Sequence, residues 1–387
     1  FVPEGCNAAL YIHVPFCSKR CSFCNLLRHS SLPCEDYAQL MVKEMAHYAK
    51  SDYARSLRFQ SVYFGGGTPT TLSPQALEEV FSALYGNFDI AEDAEISMET
   101  TVTDLTPEKL ALLRTCGVNR LSIGVQTFQD QGRKVLGRVG TGHTAYGKVL
   151  EAQDAGFDNV NIDLIYNYPY QSLRDIGDDL DKTFSLDLGG FSFYSLIVRP
   201  GTELGRANLE SCETDAMLFG EIYDRALANG FSMLELTKFV RHDRYQYIQL
   251  RHSAADILAV GAGAGGSLSR FVYHNPSHPE AYRQYVDNLG KQEVPGMFLG
   301  EQYRPLVRLA GEMQQCRLSV DKYADLLGDG FFPILEALRD KRYLREDAGS
   351  YVMTKKGVYW GNNITDIVLK NVFVDAGSCA MESLPRG

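Results

Sequence analysis

Between residues 8 and 198 the chain repeats one unit: a short apolar or β-branched run, a turn, then a stretch with helical spacing. The runs occupy residues 8–14, 61–64, 95–99, 120–125, 160–165 and 191–198. Each is bounded by polar residues, Gly or Pro, as strands are. Helical patterns lie between them at 34–50, 73–84, 106–116, 143–155 and 173–184. Two begin with Ser73-Pro74 and Thr106-Pro107, an N-cap hydroxyl followed by proline at the first helical position; two stop at Gly117 and Gly156. Strands that alternate with helices must run parallel, joined by right-handed crossovers. Six such units predict an α/β fold, a partial (β/α)6 barrel. Its chemistry would sit on loops at the C-terminal ends of the strands.

The pattern weakens past residue 200. A helix is expected over 215–229 and a strand over 231–236, then a glycine cluster, Gly261-Ala262-Gly263-Ala264-Gly265-Gly266. Helical spacing returns over 303–314, 320–327 and 332–341, followed by a strand at 351–354. With 387 residues the chain exceeds a typical single core. The expected division is the barrel over 1–220, a β/α extension with the glycine-rich segment over 221–299, and a smaller C-terminal α+β, winged-helix-like domain over 300–387.

A net charge of −10 argues against a nucleic-acid groove. No apolar run reaches bilayer length, so no membrane partner is expected. The start, Phe1-Val2-Pro3-Glu4-Gly5, lacks the basic and apolar parts of a signal peptide. Nine cysteines, odd in number and mostly scattered, fit a reducing cytoplasmic setting better than a disulfide framework.

Three of those cysteines are not scattered. Cys17, Cys21 and Cys24 follow the first strand with C-x3-C-x2-C spacing. A cubane iron–sulfur cluster takes one thiolate per iron. Three thiolates in one loop leave a fourth iron open to a small ligand. The alternatives are three unrelated thiols, or a zinc site with a distant fourth ligand. Zinc sites commonly show paired C-x2-C knuckles, and no second pair exists here.

The second strand ends in Gly65-Gly66-Gly67-Thr68. Such a run lets backbone approach a ligand, or simply makes a tight turn. It is not a P-loop, since no Gly-Lys-Ser/Thr follows. Glu99 and Gln126 end the next two strands, and Asp163 lies within an apolar one. A carboxylate there needs a partner, for which Arg138 is the candidate.

These motifs, with Tyr11-Ile12-His13-Val14-Pro15-Phe16-Cys17, Ser122-Ile123-Gly124-Val125-Gln126 and Asn161-Ile162-Asp163-Leu164-Ile165-Tyr166, resemble the radical S-adenosylmethionine (SAM) superfamily, and within it the HemN-like family. The resemblance spans residues 8–266 and, more loosely, the tail. It implies a [4Fe–4S] cluster on Cys17, Cys21 and Cys24, reductive cleavage of SAM, and hydrogen abstraction by a 5′-deoxyadenosyl radical. It places Tyr11, Phe23, Gly65, Gly66, Gly67, Thr68, Glu99, Gln126, Arg138 and Asp163 around that SAM. A second SAM would lie beside the first, near Gln249 and residues 261–266. An electron donor such as flavodoxin or ferredoxin is implied.

Four outcomes are known among such proteins: methyl or methylene transfer to a tetrapyrrole or heteroaromatic substrate, oxidative decarboxylation of coproporphyrinogen, heme chaperoning, and a non-catalytic scaffold. The decarboxylase branch carries a fourth cysteine where this chain has Leu26. The chaperone branch follows Arg-His with Asn and aromatics, where this chain has Arg251-His252-Ser253-Ala254-Ala255. The intact cysteines argue against a mere scaffold. Carbon-group transfer is therefore the expected reaction, although Asn25 to His29 fits none of the branches well.

Overall fold

The structure, a computed structural model, describes residues 7–25, 36–207, 215–291, 294–327 and 331–372. Its central strands are β1 (Asn7–Val14), β2 (Arg58–Gly66), β3 (Asp89–Thr101), β4 (Arg120–Gln126), β5 (Asn159–Tyr166) and β6 (Gly190–Ser195). After them come β7 (Ser232–Glu235), β8 (Lys238–Val240), β9 (Asp256–Val260), β10 (Gly265–Leu268), β11 (Phe271–His274) and β12 (Gly296–Phe298). All join one twelve-stranded sheet, ordered β12-β11-β10-β9-β1-β2-β3-β4-β5-β6-β8-β7. The six expected strands pair in parallel, and β9 adds a seventh parallel strand beside β1. The flanking strands pair antiparallel. The α/β expectation holds.

Strand alternation explains the layering. Leu10, Ile12, Val14, Val62, Phe64, Met98, Leu121, Ile123 and Ile162 are buried against the helices. Each fully buried side chain of this size contributes roughly 1.5–3 kcal/mol. The helices are α1 (Tyr37–Tyr48), α2 (Pro74–Asn87), α3 (Pro107–Thr115), α4 (Asp130–Val135), α5 (Gly142–Asp154) and α6 (Leu173–Ser185). Ser73 and Thr106 cap α2 and α3 as their Ser-Pro and Thr-Pro pairs predict: each hydroxyl accepts from a backbone N–H three residues on.

The opposite face of the strands is polar. Glu95, Ser97 and Glu99 alternate along β3, Arg120 and Ser122 along β4, Asn161 and Asp163 along β5. This face lines the concave side of the sheet. Arg120 is fully buried there and forms a bidentate pair with Asp243, both bonds 2.9 Å. Lys238 lies 3.3 Å from the same carboxylate.

The tail holds α7 (Asp215–Ala228), α8 (Gln246–His252), α9 (Pro279–Asp287), α10 (Tyr303–Gln314), α11 (Phe331–Asp340) and α12 (Gly361–Lys370). A second sheet of three short antiparallel strands, residues 317–318, 344–347 and 350–353, sits among the last of them. The helix expected over 320–327 is only a 3₁₀ turn at Val320–Tyr323. The strand expected to reach residue 198 ends at Ser195, because its partner β5 ends there too: Tyr166 pairs with Ser195 and Asn167 turns to φ +64°. The expected start of α1 at Cys34 lies outside the described residues. Among those described, no helix is long and apolar enough to cross a membrane.

Candidate functional site

The C-terminal ends of β1 to β5 converge on one loop, residues 15–25. Cys17, Cys21 and Cys24 are all buried and carry no disulfide. Cys17 and Cys21 line one recess with Ser18, Lys19, Thr68, Gly137 and Arg138. Thr68 Oγ1 donates to Cys17 Sγ at 3.5 Å, and Arg138 Nη1 donates to Cys21 Sγ at 3.1 Å. The loop is pinned from three sides. Ser22 N–H bonds Leu136 O at 3.2 Å, Ser22 Oγ bonds Val135 O at 2.6 Å, and Leu204 N–H bonds Ser22 O at 3.1 Å. Phe23 packs beside Leu136, Ile165, Tyr168, Leu196 and Leu204.

The glycine loop packs onto the cysteine loop. Gly67 N–H bonds Val14 O at 2.9 Å and Thr68 N–H bonds Phe16 O at 2.7 Å. A Cβ on Gly67 would lie 2.4 Å from Phe16 O, and Gly66 adopts φ +117° against the His13 ring. The segment is thus a tight turn pressed against the cysteine loop and the His13 ring. Because the obstacle at Gly67 is backbone, Gly67→Ala is expected to cost roughly 1–3 kcal/mol in urea unfolding. A variant as stable as the unaltered chain would contradict this packing.

Glu99 is inside the mouth. Tyr63 Oη donates to its Oε1 at 2.6 Å and Gly66 N–H to its Oε2 at 3.1 Å. Burial pushes the Glu99 carboxyl up to about 7; Tyr63 and Gly66 oppose that shift, and the Asp163 charge adds to it. Tyr11 shares a 2.7 Å hydrogen bond with His13 Nδ1 and stacks on Tyr63 and Tyr247. Burial lowers the His13 ring to about 4, so it is neutral at pH 7. Gln126 sits at φ +72°, a left-handed turn at the end of β4.

One expected pairing is not found. Arg138 does not meet Asp163: its guanidinium is taken by Cys21 Sγ and by Gly124 O at 2.6 Å. Ser122 Oγ instead lies 3.4 Å from both Asp163 oxygens. Gln249 accepts from Gln315 at 2.5 Å. Gly261, in contrast, is pressed on His13, where a Cβ would stand 2.3 Å from His13 O.

Residues 11–183 match the radical SAM superfamily. The heme chaperone HemW of Bacillus subtilis is 29% identical over 382 residues, spanning 92% of this chain and 97% of the relative. Anaerobilin synthase of Escherichia coli O157:H7 is 28% identical over 371 residues, 92% of this chain and 82% of the relative. The structure of coproporphyrinogen III oxidase (HemN) from Escherichia coli superposes with TM-score 0.80 at 24% identity, covering 93% of this chain and 89% of that one. The chain thus carries a match to the radical SAM superfamily and is similar to HemN-like proteins over most of its length.

Radical SAM proteins use a [4Fe–4S] cluster and SAM. The donor set of this chain fits such a group. Among the described residues no three His, Cys, Asp or Glu side chains converge as a single metal ion requires. A cubane takes one thiolate on each of separate irons. Two of the thiols already receive N–H or O–H donors. Arg138 Nε is buried without a hydrogen-bond partner beside them. Donors and positive charge around sulfur are what an anionic cluster takes from its surroundings.

Sequence reasoning missed the floor beneath this mouth. Tyr247 stacks on Tyr63 and Tyr245 packs against it at a tilt, Tyr245 Oη lies 3.4 Å from Tyr63 Oη, and Gln246 N–H bonds Glu95 at 3.0 and 3.1 Å. The available signal was polar residues at every second position of three consecutive strands. A second missed element is Glu44 of α1, which is fully buried and accepts from Gly261 N–H at 2.9 Å and from Asn275 at 2.7 Å. It ties the glycine cluster to α1.

Proposed function

We propose that this radical SAM chain cleaves SAM reductively and passes a SAM-derived methyl or methylene group, with a second SAM as its source, to a tetrapyrrole or heteroaromatic substrate. The observation that carries the first half is the trio of buried thiols in one pinned loop, with two of them in a common recess that Arg138 and Thr68 also line. Bound there, the cluster and SAM would supply one-electron cleavage of the sulfonium and abstraction of a substrate hydrogen.

The remaining roles belong to side chains of the chain itself. Cys17, Cys21 and Cys24 hold the cluster. The Glu99 carboxylate, in its anionic form, accepts the ammonium of SAM, with Gly65, Gly66, Gly67 and Thr68 offering backbone and hydroxyl groups beside it. Gln126 and Asp163 serve hydroxyls and ring nitrogens of the nucleoside. Tyr11 and Phe23 present aromatic surface that excludes water. Arg138 sets the charge beside Cys21.

The tetrapyrrole substrate class rests on the relatives, whose names include anaerobilin synthase and coproporphyrinogen III oxidase. Label from SAM appearing in a product after anaerobic incubation with heme or coproporphyrinogen supports carbon transfer. Loss of carboxyl groups without label supports decarboxylation instead. A second reading, heme chaperoning, is favoured by the HemW relatives. Against it, His252 Nε2 is held 3.1 Å from Glu235 Oε2, which occupies the ring nitrogen a heme iron would need. Heme bound without 5′-deoxyadenosine or S-adenosylhomocysteine would decide for the chaperone. Leu26, which separates the chain from the decarboxylase branch, lies outside the described residues with Leu27 to His29.

The Glu99 role predicts a pH dependence. A proton competes with the SAM ammonium for a carboxylate whose ordinary value is raised to about 7. SAM affinity of the reconstituted protein is therefore expected to fall as pH drops through 7, approaching about tenfold per pH unit below it. In Glu99→Gln the affinity is expected to be weaker and flat between pH 6 and 8. Equilibrium dialysis with labelled SAM measures both; a flat profile in the unaltered chain removes Glu99 from this role.

A further inference from the structure

The last turn of α8 is held from several sides. His252 Nε2 lies 3.1 Å from Glu235 Oε2, and Gln249 accepts from Gln315 at 2.5 Å. Just past the helix, Arg308 donates to Ser253 O at 3.1 Å and Arg304 to Ala254 O at 2.7 Å. A Cβ on Gly311 would stand 2.4 Å from His252 O, so α10 is pressed against the same turn. Among these tied side chains stands Arg251. It is half-buried, and among the described residues its guanidinium makes no hydrogen bond and no ion pair. Helix geometry fixes where it points. Arg251 follows Tyr247 by one helical turn, which puts both on one face of α8. Tyr247 stacks on Tyr11 and Tyr63, with ring centres 5.8 and 4.6 Å apart. Burial raises the Tyr11, Tyr247 and Tyr303 hydroxyls above their ordinary range, and the Arg251 charge opposes that rise at all three. These hydroxyls stay neutral and supply no counter-charge. The Glu99 charge acts on Tyr11 and Tyr247 with the opposite sign. A carboxylate and a guanidinium thus flank one tyrosine stack. Glu99 is engaged by Tyr63 and Gly66; Arg251 is engaged by nothing comparable.

We infer that Arg251 receives a carboxylate of the substrate and so sets how the substrate lies over the Tyr11–Tyr247 stack. The inference rests on the functional reading above, which supplies the aromatic substrate. A guanidinium is a rigid fork of donors, and a planar carboxylate matches it through two parallel bonds. A half-buried fork with its donors unused is costly until such a ligand completes it. A doubly charged phosphate suits the place less well. A single cation stands there, and besides burial the charges of Asp163, Glu235 and Glu99 all bear on Tyr194 of the same concave face. Flat tyrosine rings beside the cation suit the aromatic body that carries the carboxylate. The turn that bears Arg251 is pinned by α10, so little ordering is left to occur on binding. The competing source of a carboxylate is SAM itself, and the two can be told apart.

Equilibrium dialysis of the reconstituted holoenzyme tests this, with coproporphyrin as the carboxylated probe and its tetraamide as the uncharged one. The unaltered chain is expected to hold the tetraacid at least about tenfold more tightly than the tetraamide. In Arg251→Gln the tetraacid should weaken by about tenfold or more while the tetraamide moves less than about twofold, so the preference disappears. Arg251→Lys keeps the charge but not the fork and should fall between. The urea midpoint of Arg251→Gln should match that of the unaltered chain, since the guanidinium ties no other part of the fold. A lowered midpoint would give Arg251 a structural role and overturn the inference. Labelled SAM, dialysed without porphyrin, should bind the variant with unchanged affinity and stoichiometry. Loss of one SAM per chain would assign Arg251 to a SAM carboxylate and overturn the inference likewise. So would equal binding of tetraacid and tetraamide, or no porphyrin binding by the unaltered chain. In each of those cases dithionite-driven formation of 5′-deoxyadenosine would still uphold SAM cleavage; only its absence from the unaltered chain would count against the functional reading.

Discussion

Cys21→Ala is expected to give a folded protein without an intact cluster, forming no 5′-deoxyadenosine from SAM. The fold should survive because the loop is held by Ser22, Phe23 and the Gly67–Thr68 backbone rather than by the thiol. Far-UV circular dichroism should therefore match the unaltered chain. The cluster should not survive, because two thiolates leave two irons of a cubane without protein ligands. Iron and sulfide content and the visible absorbance should collapse after anaerobic reconstitution, and SAM cleavage should drop by more than about a thousandfold. Arg138→Gln separates ligand from neighbour. It keeps the three thiols but removes the guanidinium 3.1 Å from Cys21 Sγ. A cluster should then assemble, but taking up an electron beside one fewer positive charge is harder, so its reduction potential should fall and cleavage should slow. A Cys21→Ala protein with full iron and normal turnover would end the assignment.

How much of this was legible beforehand follows from the range of each interaction. Local signals were readable. Ser73 and Thr106 cap their helices as their following prolines and the i+3 geometry demand. The C-x3-C-x2-C loop falls directly after β1 because a parallel strand must deliver its loop at one end of the sheet. Pairings that span the chain were not readable. β9 joins β1 across more than two hundred residues, and nothing in Asp256–Val260 names its neighbour. Arg138 looked like a partner for Asp163 because a buried carboxylate wants a cation, but the backbone turn after α4 aims it at Cys21 and Gly124 instead. The polar alternation of β3, β4 and β5 was present in the sequence, yet its meaning depends on the curl of the sheet, which sets those residues facing one another.

That polar floor carries the largest stability effect. Asp243→Ala is expected to destabilise the fold by about 3–5 kcal/mol, since it strands two buried cations. The Asp243 side chain is inaccessible and accepts from Arg120 through two 2.9 Å bonds, from Asn159 at 2.6 Å and from Tyr245 N–H at 3.0 Å, with Lys238 3.3 Å away. Arg120 also lies 4.1 Å from the centre of the Tyr245 ring. Burial alone would raise the Asp243 carboxyl, but Arg120 and Lys238 hold it far below the usual carboxylate range. The sign is that of a depressed acid: its contribution is complete above the unfolded value, about 3.9, and is lost only as pH falls through the lower folded value. This centre should thus not weaken between pH 5 and 8, unlike the Glu99 site. Against a domain stability of roughly 5–15 kcal/mol the loss is large, and the urea midpoint should move accordingly. A triple variant, Asp243→Ala with Arg120→Met and Lys238→Met, should recover part of it, because the two stranded cations are gone, although Glu95, Glu99 and Asp163 then lose cations that counter them. The effect should also reach the mouth. Residues 243–247 hold Tyr245 and Tyr247 against Tyr63, and Tyr63 holds Glu99. SAM affinity should therefore weaken in Asp243→Ala even where the protein remains folded. A variant with an unmoved urea midpoint would mean that the two cations find water, and that the floor is open rather than sealed.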